Sequence, residues 1–149
     1  MIEREPLVIR QIGPQDAAAV AQLNGELGYP ATAADVAQRI AALQSVGAKQ
    51  AVFVACMGEE VVGWIDVAIT FHLQTPPFSL IGGLVVKEGL RGQQIGKRLC
   101  AEAEAWSRAQ DVLVMRVTSR STRDDAHRFY LRDGYTDVKT SRVFEKILS

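Results

Sequence analysis

Aromatic side chains are scarce in this sequence, at 7% of residues, and cysteine occurs only as Cys56 and Cys100. Two cysteines this far apart, with no histidine close to either, make neither a redox pair nor a metal knuckle. Cys56 lies in an apolar run and Cys100 among helix formers, so both read as small buried hydrophobes. No sign of charge is in excess: seventeen basic residues balance seventeen acidic ones. A neutral balance argues against non-specific nucleic-acid binding, which rests on a basic surface. No apolar stretch approaches the length of a membrane span, and Met1 to Pro6 shows no basic-then-apolar targeting pattern. The cytoplasm is the expected compartment, with no membrane partner. Repeats, low-complexity segments and internal linkers are also lacking.

What is present is 149 residues, 48% of them hydrophobic, read as one domain over 1–149. A chain of this length buries roughly 70% of its unfolded surface, so it needs no disulfide or metal to hold a core. Leu7–Ile12 reads as a first strand, stopped by Gly13-Pro14. Proline in the first turn and Asp16 near the positive end then open a helix carrying Val20, Leu23 and Leu27. Gly28-Tyr29-Pro30 ends it. Thr32 and Asp35 have capping-box spacing ahead of a second helix with Val36, Ile40 and Leu43, stopped at Gly47. Ala51–Met57 and Val61–Thr70 read as strands joined by a tight turn, and Leu80–Val86 as a third. Gly82-Gly83 inside that strand marks a bulge or a close approach. A helix follows with Ile95, Leu99, Ala103 and Trp106 on one stripe. Val112–Thr118 reads as a strand, Ala126–Arg132 as a short helix stopped by Asp133-Gly134, and Tyr135–Val138 with Val143–Leu148 as a hairpin. The order β-α-α-β-β-β-α-β-α-β-β makes an α/β (α+β) domain with a mixed sheet.

The most informative stretch runs from Leu84-Val85-Val86 through Lys87-Glu88-Gly89-Leu90-Arg91-Gly92-Gln93-Gln94 into Ile95-Gly96-Lys97-Arg98-Leu99. A strand enters a polar loop, and the loop enters a helix whose first amides lack partners and favour an anion. Gly92 and Gly96 remove side chains where a phosphate approaches, and Arg91, Lys97 and Arg98 add positive charge. The reading is a pyrophosphate site. A nucleoside-triphosphate P-loop fits poorly, because three residues rather than four separate Gly92 from Gly96 and Arg98 stands where a hydroxyl is needed. The dinucleotide fingerprint fits neither in spacing nor in place. A basic loop that merely turns a strand into a helix is the plainer alternative.

Arg91-Gly92-Gln93-Gln94-Ile95-Gly96 resembles the acetyl-CoA loop of the GCN5-related N-acetyltransferase (GNAT) superfamily, Gln/Arg-x-x-Gly-x-Gly/Ala, at Arg91 and Gly96. Gln94 departs from it, standing where the family has glycine. Ala126-His127-Arg128-Phe129-Tyr130-Leu131-Arg132-Asp133-Gly134-Tyr135 resembles the family's late motif, Ala-x-x-Phe-Tyr-x-x-x-Gly-Phe/Tyr, at every stated position. The resemblance covers most of the chain. It implies the GNAT fold, a mostly antiparallel mixed sheet flanked by helices, and acetyl-CoA as acyl-donor cosubstrate with no metal. It implies a coenzyme site of Leu84, Val85, Val86, Arg91, Gly92, Gln93, Gln94, Ile95, Gly96, Lys97 and Phe129. Arg120 falls where many members carry a coenzyme-contacting asparagine. Arg120 and Arg123 are candidates for a coenzyme phosphate or an acidic substrate group; a solvated charged loop is the bland reading of both.

By the same resemblance Tyr130 is the candidate general acid. A phenol with an ordinary pKa of about 10 stays protonated at neutral pH and donates to a departing thiolate. The implied reaction is direct attack by a primary amine, with a backbone N–H of Leu84–Val86 polarising the thioester carbonyl. Some relatives place a glutamate on the central strand as base, but Ser79-Leu80-Ile81-Gly82-Gly83 has no acid. Asp66, Glu88, His72, His127 or a water chain remain for that role. Tyr29, in the loop that sets specificity in relatives, and Asp66 are the candidate acceptor-binding residues. The acceptor is a small-molecule or peptide amine, and a homodimer is expected from relatives. Competing readings are a non-catalytic acyl-CoA sensor and a partner-binding domain without ligand.

Overall fold

The computed structural model describes residues 6–90, 94–119 and 123–149. These form two compact units, Met1–Thr118 and Ser119–Ser149.

In the first unit, strand β1 (Leu7–Gln11) leads through a single turn at Pro14–Asp16 into helix α1 (Ala17–Glu26). The entry is locked by charge. Arg10 donates both guanidinium nitrogens to the two oxygens of Asp16 at 2.8 Å each, and the Gly13 N–H donates to Asp16 Oδ2 at 2.8 Å. These bonds hold the buried Asp16 carboxyl below the usual carboxylate range, the Arg10 bond most of all. Helix α2 (Ala33–Val46) starts on the expected capping box: Asp35 N–H donates to Thr32 Oγ1 at 3.0 Å, and Thr32 N–H donates to Asp35 Oδ2 at 3.1 Å.

Strands β2 (Gln50–Met57), β3 (Glu60–Thr70) and β4 (Phe78–Val86) follow, then helix α3 (Ile95–Ala109) and strand β5 (Met115–Val117). The sheet order is β1-β2-β3-β4-β5, antiparallel throughout except for the parallel pair β4 and β5. This is the mixed sheet the element order predicts, mostly antiparallel as the family resemblance implies. Residues 51–56 of β2 are buried without interruption. Successive strand residues face opposite sides, so both faces of the sheet are covered. On one face α1 and α2 bring Val20, Leu23, Val36 and Ile40 against Val54 and Cys56. On the other, Ile95 and Leu99 of α3 pack over Gly63, where a Cβ would come within 3.5 Å of Ile95 and 3.2 Å of Leu99. Both cysteines are buried.

Strand β5 is shorter than the predicted Val112–Thr118. The buried Ser107 hydroxyl donates to Val112 O at 2.6 Å, and Val112 N–H bonds Ser107 O, so Val112 is held by the turn that follows α3. With its proton so used, Ser107 Oγ accepts from the Ser79 hydroxyl at 2.6 Å, tying α3 to β4.

The second unit holds helix α4 (Asp124–Arg132). Asp124 and Asp125 lie in its first turn, complementing the helix dipole, and Gly134 at φ +93° ends it. The hairpin expected at Tyr135–Val138 and Val143–Leu148 is absent: residues 135–149 carry neither helix nor strand. A hairpin needs backbone hydrogen bonds between its two segments, and among the described residues none join 135–138 to 143–148. Among the described residues, no helix is long and apolar enough to cross a membrane.

Candidate active site

Strands β4 and β5 run side by side only through Ser79, Leu80 and Ile81, opposite Met115, Arg116 and Val117. Beyond Ile81, residues 82–86 of β4 have no strand on that side among the described residues. Their other side remains paired to β3, from Asp66 opposite Gly83 to Gly63 opposite Val86. The Lys87 N–H points into the sheet, donating to Val62 O at 2.8 Å. Backbone groups alternate along a strand, so the N–H groups of Val86 and Leu84 point outward, to the unpaired edge. That edge offers amide donors and acceptors to an extended ligand.

The same strand leads to the start of α3. Gln94 precedes the helix at φ +63°, ψ +19°, with no side-chain cap. Its carbonyl accepts the first helical bond, from Arg98 N–H at 3.0 Å. The amides of Ile95, Gly96 and Lys97 are therefore outside the helical ladder. Ile95 packs over Gly63, the β3 residue opposite Val86, so the helix starts over the β3–β4 pair at the level of Val86. Arg91, Gly92, Gln93 and Arg120 lie outside the described residues.

Gly82 is the extra residue of a bulge: the register passes from Asp66–Gly83 to Val67–Ile81 without it. The Gly82 N–H donates instead to Asp66 Oδ1 at 2.9 Å. A Cβ on Gly82 would lie 2.4 Å from that oxygen, and one on Gly83 would lie 2.8 Å from the Trp64 ring. The paired glycines thus mark both a bulge and a close approach, and side chains of β3 make the approach. Burial raises the Asp66 pKa above the usual carboxylate range, against the smaller lowering effect of bonds from the Gly82 and Gly83 amides. Trp64, on the same face, donates its indole N–H to Asn24 Oδ1 of α1 at 2.8 Å. Tyr29 lies in the turn after α1, with its N–H bonded to Asn24 O at 2.8 Å and its ring half exposed.

In the second unit, Arg123 precedes α4 and its carbonyl accepts from His127 N–H at 3.1 Å. Tyr130 packs edge-on between Phe129 and Tyr135, with ring centroids 5.3 and 5.8 Å away. His72 stacks on Phe78 at 5.5 Å, and Arg116 covers Phe78 at 4.4 Å. His72 is thus occupied in packing at the end of the β3–β4 hairpin. Glu88 is exposed. The sequence reasoning missed Trp64 and Asn24. The signal available was the glycine pair, which demands a large neighbour without saying which.

The model of the Acetyltransferase (GNAT) family matches residues 20–135, and the chain belongs to that family and so to the acyltransferases. Aminoalkylphosphonate N-acetyltransferase of Salmonella typhimurium is 43% identical over 77 residues, 51% of this chain and 50% of that protein. The match therefore spans only half the length of that relative. Aminoglycoside N(6')-acetyltransferase type 1 of Stenotrophomonas maltophilia is 31% identical over 145 residues, 93% of this chain and 92% of that protein. Among solved structures, that of AAC(6')-Iy in complex with the bisubstrate analogue CoA-S-monomethyl-acetylneamine superposes with a TM-score of 0.83. It covers 97% of this chain and 100% of its own at 15% identity, which shows a shared fold.

Proposed function

We propose that the chain, acting over its whole length as one N-acetyltransferase domain, transfers the acetyl group of acetyl-CoA to a primary amine by direct attack. The observation that carries this reading is the parting of β4 from β5 beside the start of α3. An extended molecule with amide groups and a diphosphate suits that arrangement. Its amides pair with the Leu84–Val86 edge, and its phosphates meet the amides of Ile95, Gly96 and Lys97. Arg91, Gly92, Gln93 and Gln94 complete the loop, with Phe129, Arg120 and Arg123 contributing from the later segment. The two N-acetyltransferase relatives and the coenzyme-derived ligand of the fold neighbour support the same reading.

In the reaction, an outward N–H of Leu84 or Val86 polarises the thioester carbonyl and stabilises the developing oxyanion. Asp66 binds the incoming amine, which gives up its proton to a water chain and attacks the carbonyl carbon; the C–N bond forms, the C–S bond breaks, and Tyr130 donates its proton to the departing thiolate. Thiol release from acetyl-CoA across a panel of small amines and a peptide amine tests the proposal. Amine-dependent release is expected. Its absence across the panel, together with no change in thermal midpoint at saturating acetyl-CoA, would refute it.

A further inference from the structure

We infer that Trp64 is a specificity-determining residue of the acceptor site, locked in place by Asn24, and that with Asp66 it selects an acceptor arriving as an ammonium joined to apolar carbon. This inference rests on the acetyl-transfer reading above, but the emission arm of its test does not depend on turnover.

Trp64 and Asp66 are two residues apart on β3 and share one face. Both lie across the glycine pair of β4: the Cβ position of Gly83 is 2.8 Å from Trp64 Cη2 and 3.5 Å from Asp66 Oδ2. Indole and carboxylate are therefore side by side over the residues at which the β4 edge becomes free. Among the described residues, no lysine or arginine pairs with Asp66, and its carboxylate accepts from the backbone amides of Gly82 and Gly83. A half-buried carboxylate with no cation of its own, beside an aromatic face, has the chemistry that recognises an ammonium. Carbon next to the nitrogen then rests on the ring.

Asn24 fixes the ring. The indole N–H reaches its side-chain oxygen at 2.8 Å. The backbone carbonyl of the same residue takes the N–H of Leu27 at 3.2 Å and of Tyr29 at 2.8 Å. One residue thereby sets both the Trp64 ring and the turn bearing Tyr29. Asn24 is a positioning residue.

Trp64 and Trp106 are the two tryptophans, so a Trp106→Phe background leaves Trp64 as the sole indole emitter. In that background n-butylamine and 2-phenylethylamine are expected to change the emission saturably, and the matched alcohols, n-butanol and 2-phenylethanol, are not. Emission unmoved by the amines, or moved equally by the alcohols, would overturn the inference. In turnover, Trp64→Leu is expected to raise the amine KM about tenfold with the acetyl-CoA KM held within about twofold, and Trp64→Phe to raise it less. Asn24→Leu is expected to raise the amine KM more than it lowers kcat, with Asn24→Asp, which keeps an oxygen at that place, restoring it. An unchanged amine KM in folded Trp64→Leu would also overturn the inference. If that variant does not fold, the emission measurement decides. A wild type that acetylates no amine refutes the acetyl-transfer reading, and the emission result still stands or falls by itself.

Discussion

Replacing Gln94 by glycine removes a Cβ from the left-handed backbone that begins α3. At φ +63° and ψ +19° an L side chain crowds its own carbonyl, a strain of roughly 1–2 kcal/mol. Glycine escapes that strain but loses more chain freedom on folding, which costs roughly 0.5–1 kcal/mol. The Gln94 side chain makes no cap bond that the change would lose. The net expectation is about 0–1.5 kcal/mol of added stability, a rise of about 0–6 °C in the midpoint for a chain of this size. Gln94→Val tests the sign, because a β-branched residue at positive φ is a stronger outlier; its midpoint should fall below wild type. Circular dichroism melts of the three proteins decide. A glycine variant that melts lower than wild type, or a valine variant that melts with it, would refute the argument. If the loop holds a diphosphate, the glycine variant should also bind acetyl-CoA at least as tightly.

Asp66→Asn should melt higher than wild type at neutral pH. Burial raises the Asp66 pKa, so between the unfolded and folded values the folded chain holds more protons, and stability falls as pH rises through that interval. The advantage of the variant should vanish below about pH 3, where aspartate is protonated in both states. Arg10→Ala should cost about 1.5–3 kcal/mol by leaving the buried Asp16 without its charged donor. It should also flatten the acid limb of the melting profile, because the depressed Asp16 pKa contributes stability that is lost as pH falls through it. Ser107→Ala strands the Ser79 hydroxyl and the Val112 carbonyl, a loss of about 1–3 kcal/mol by chemical denaturation. Tyr130→Phe should lower kcat on the order of 10²-fold with little change in acetyl-CoA KM; wild-type turnover would remove the acid assignment.

The local features of the fold were legible because neighbouring residues determine them. Thr32 and Asp35 form the capping box their spacing predicts, and Gly134 stops α4 where Asp133-Gly134 signals it. The glycine pair on β4 announced an unusual backbone, and Gly82 sits in a bulge. Features set by distant partners were not legible. The Trp64–Asn24 bond spans 40 positions, and the Ser79–Ser107 bond spans 28. The Val143–Leu148 pattern is compatible with a strand, yet a pattern supplies no ladder partner. Gln94 was legible as a departure from a motif; only its torsion angles show why glycine suits the place. Arg91, Gly92, Gln93 and Arg120 lie outside the described residues, so their part in the site is proposed from the motifs alone.

Backbone amide resonances followed by nuclear magnetic resonance during titration with coenzyme A test the central claim most directly. The account predicts that the amides of Leu84, Val86, Ile95, Gly96 and Lys97 shift saturably, while those of the interior strand Ala51–Cys56 stay nearly fixed. Saturable binding that leaves those five amides unmoved would contradict it.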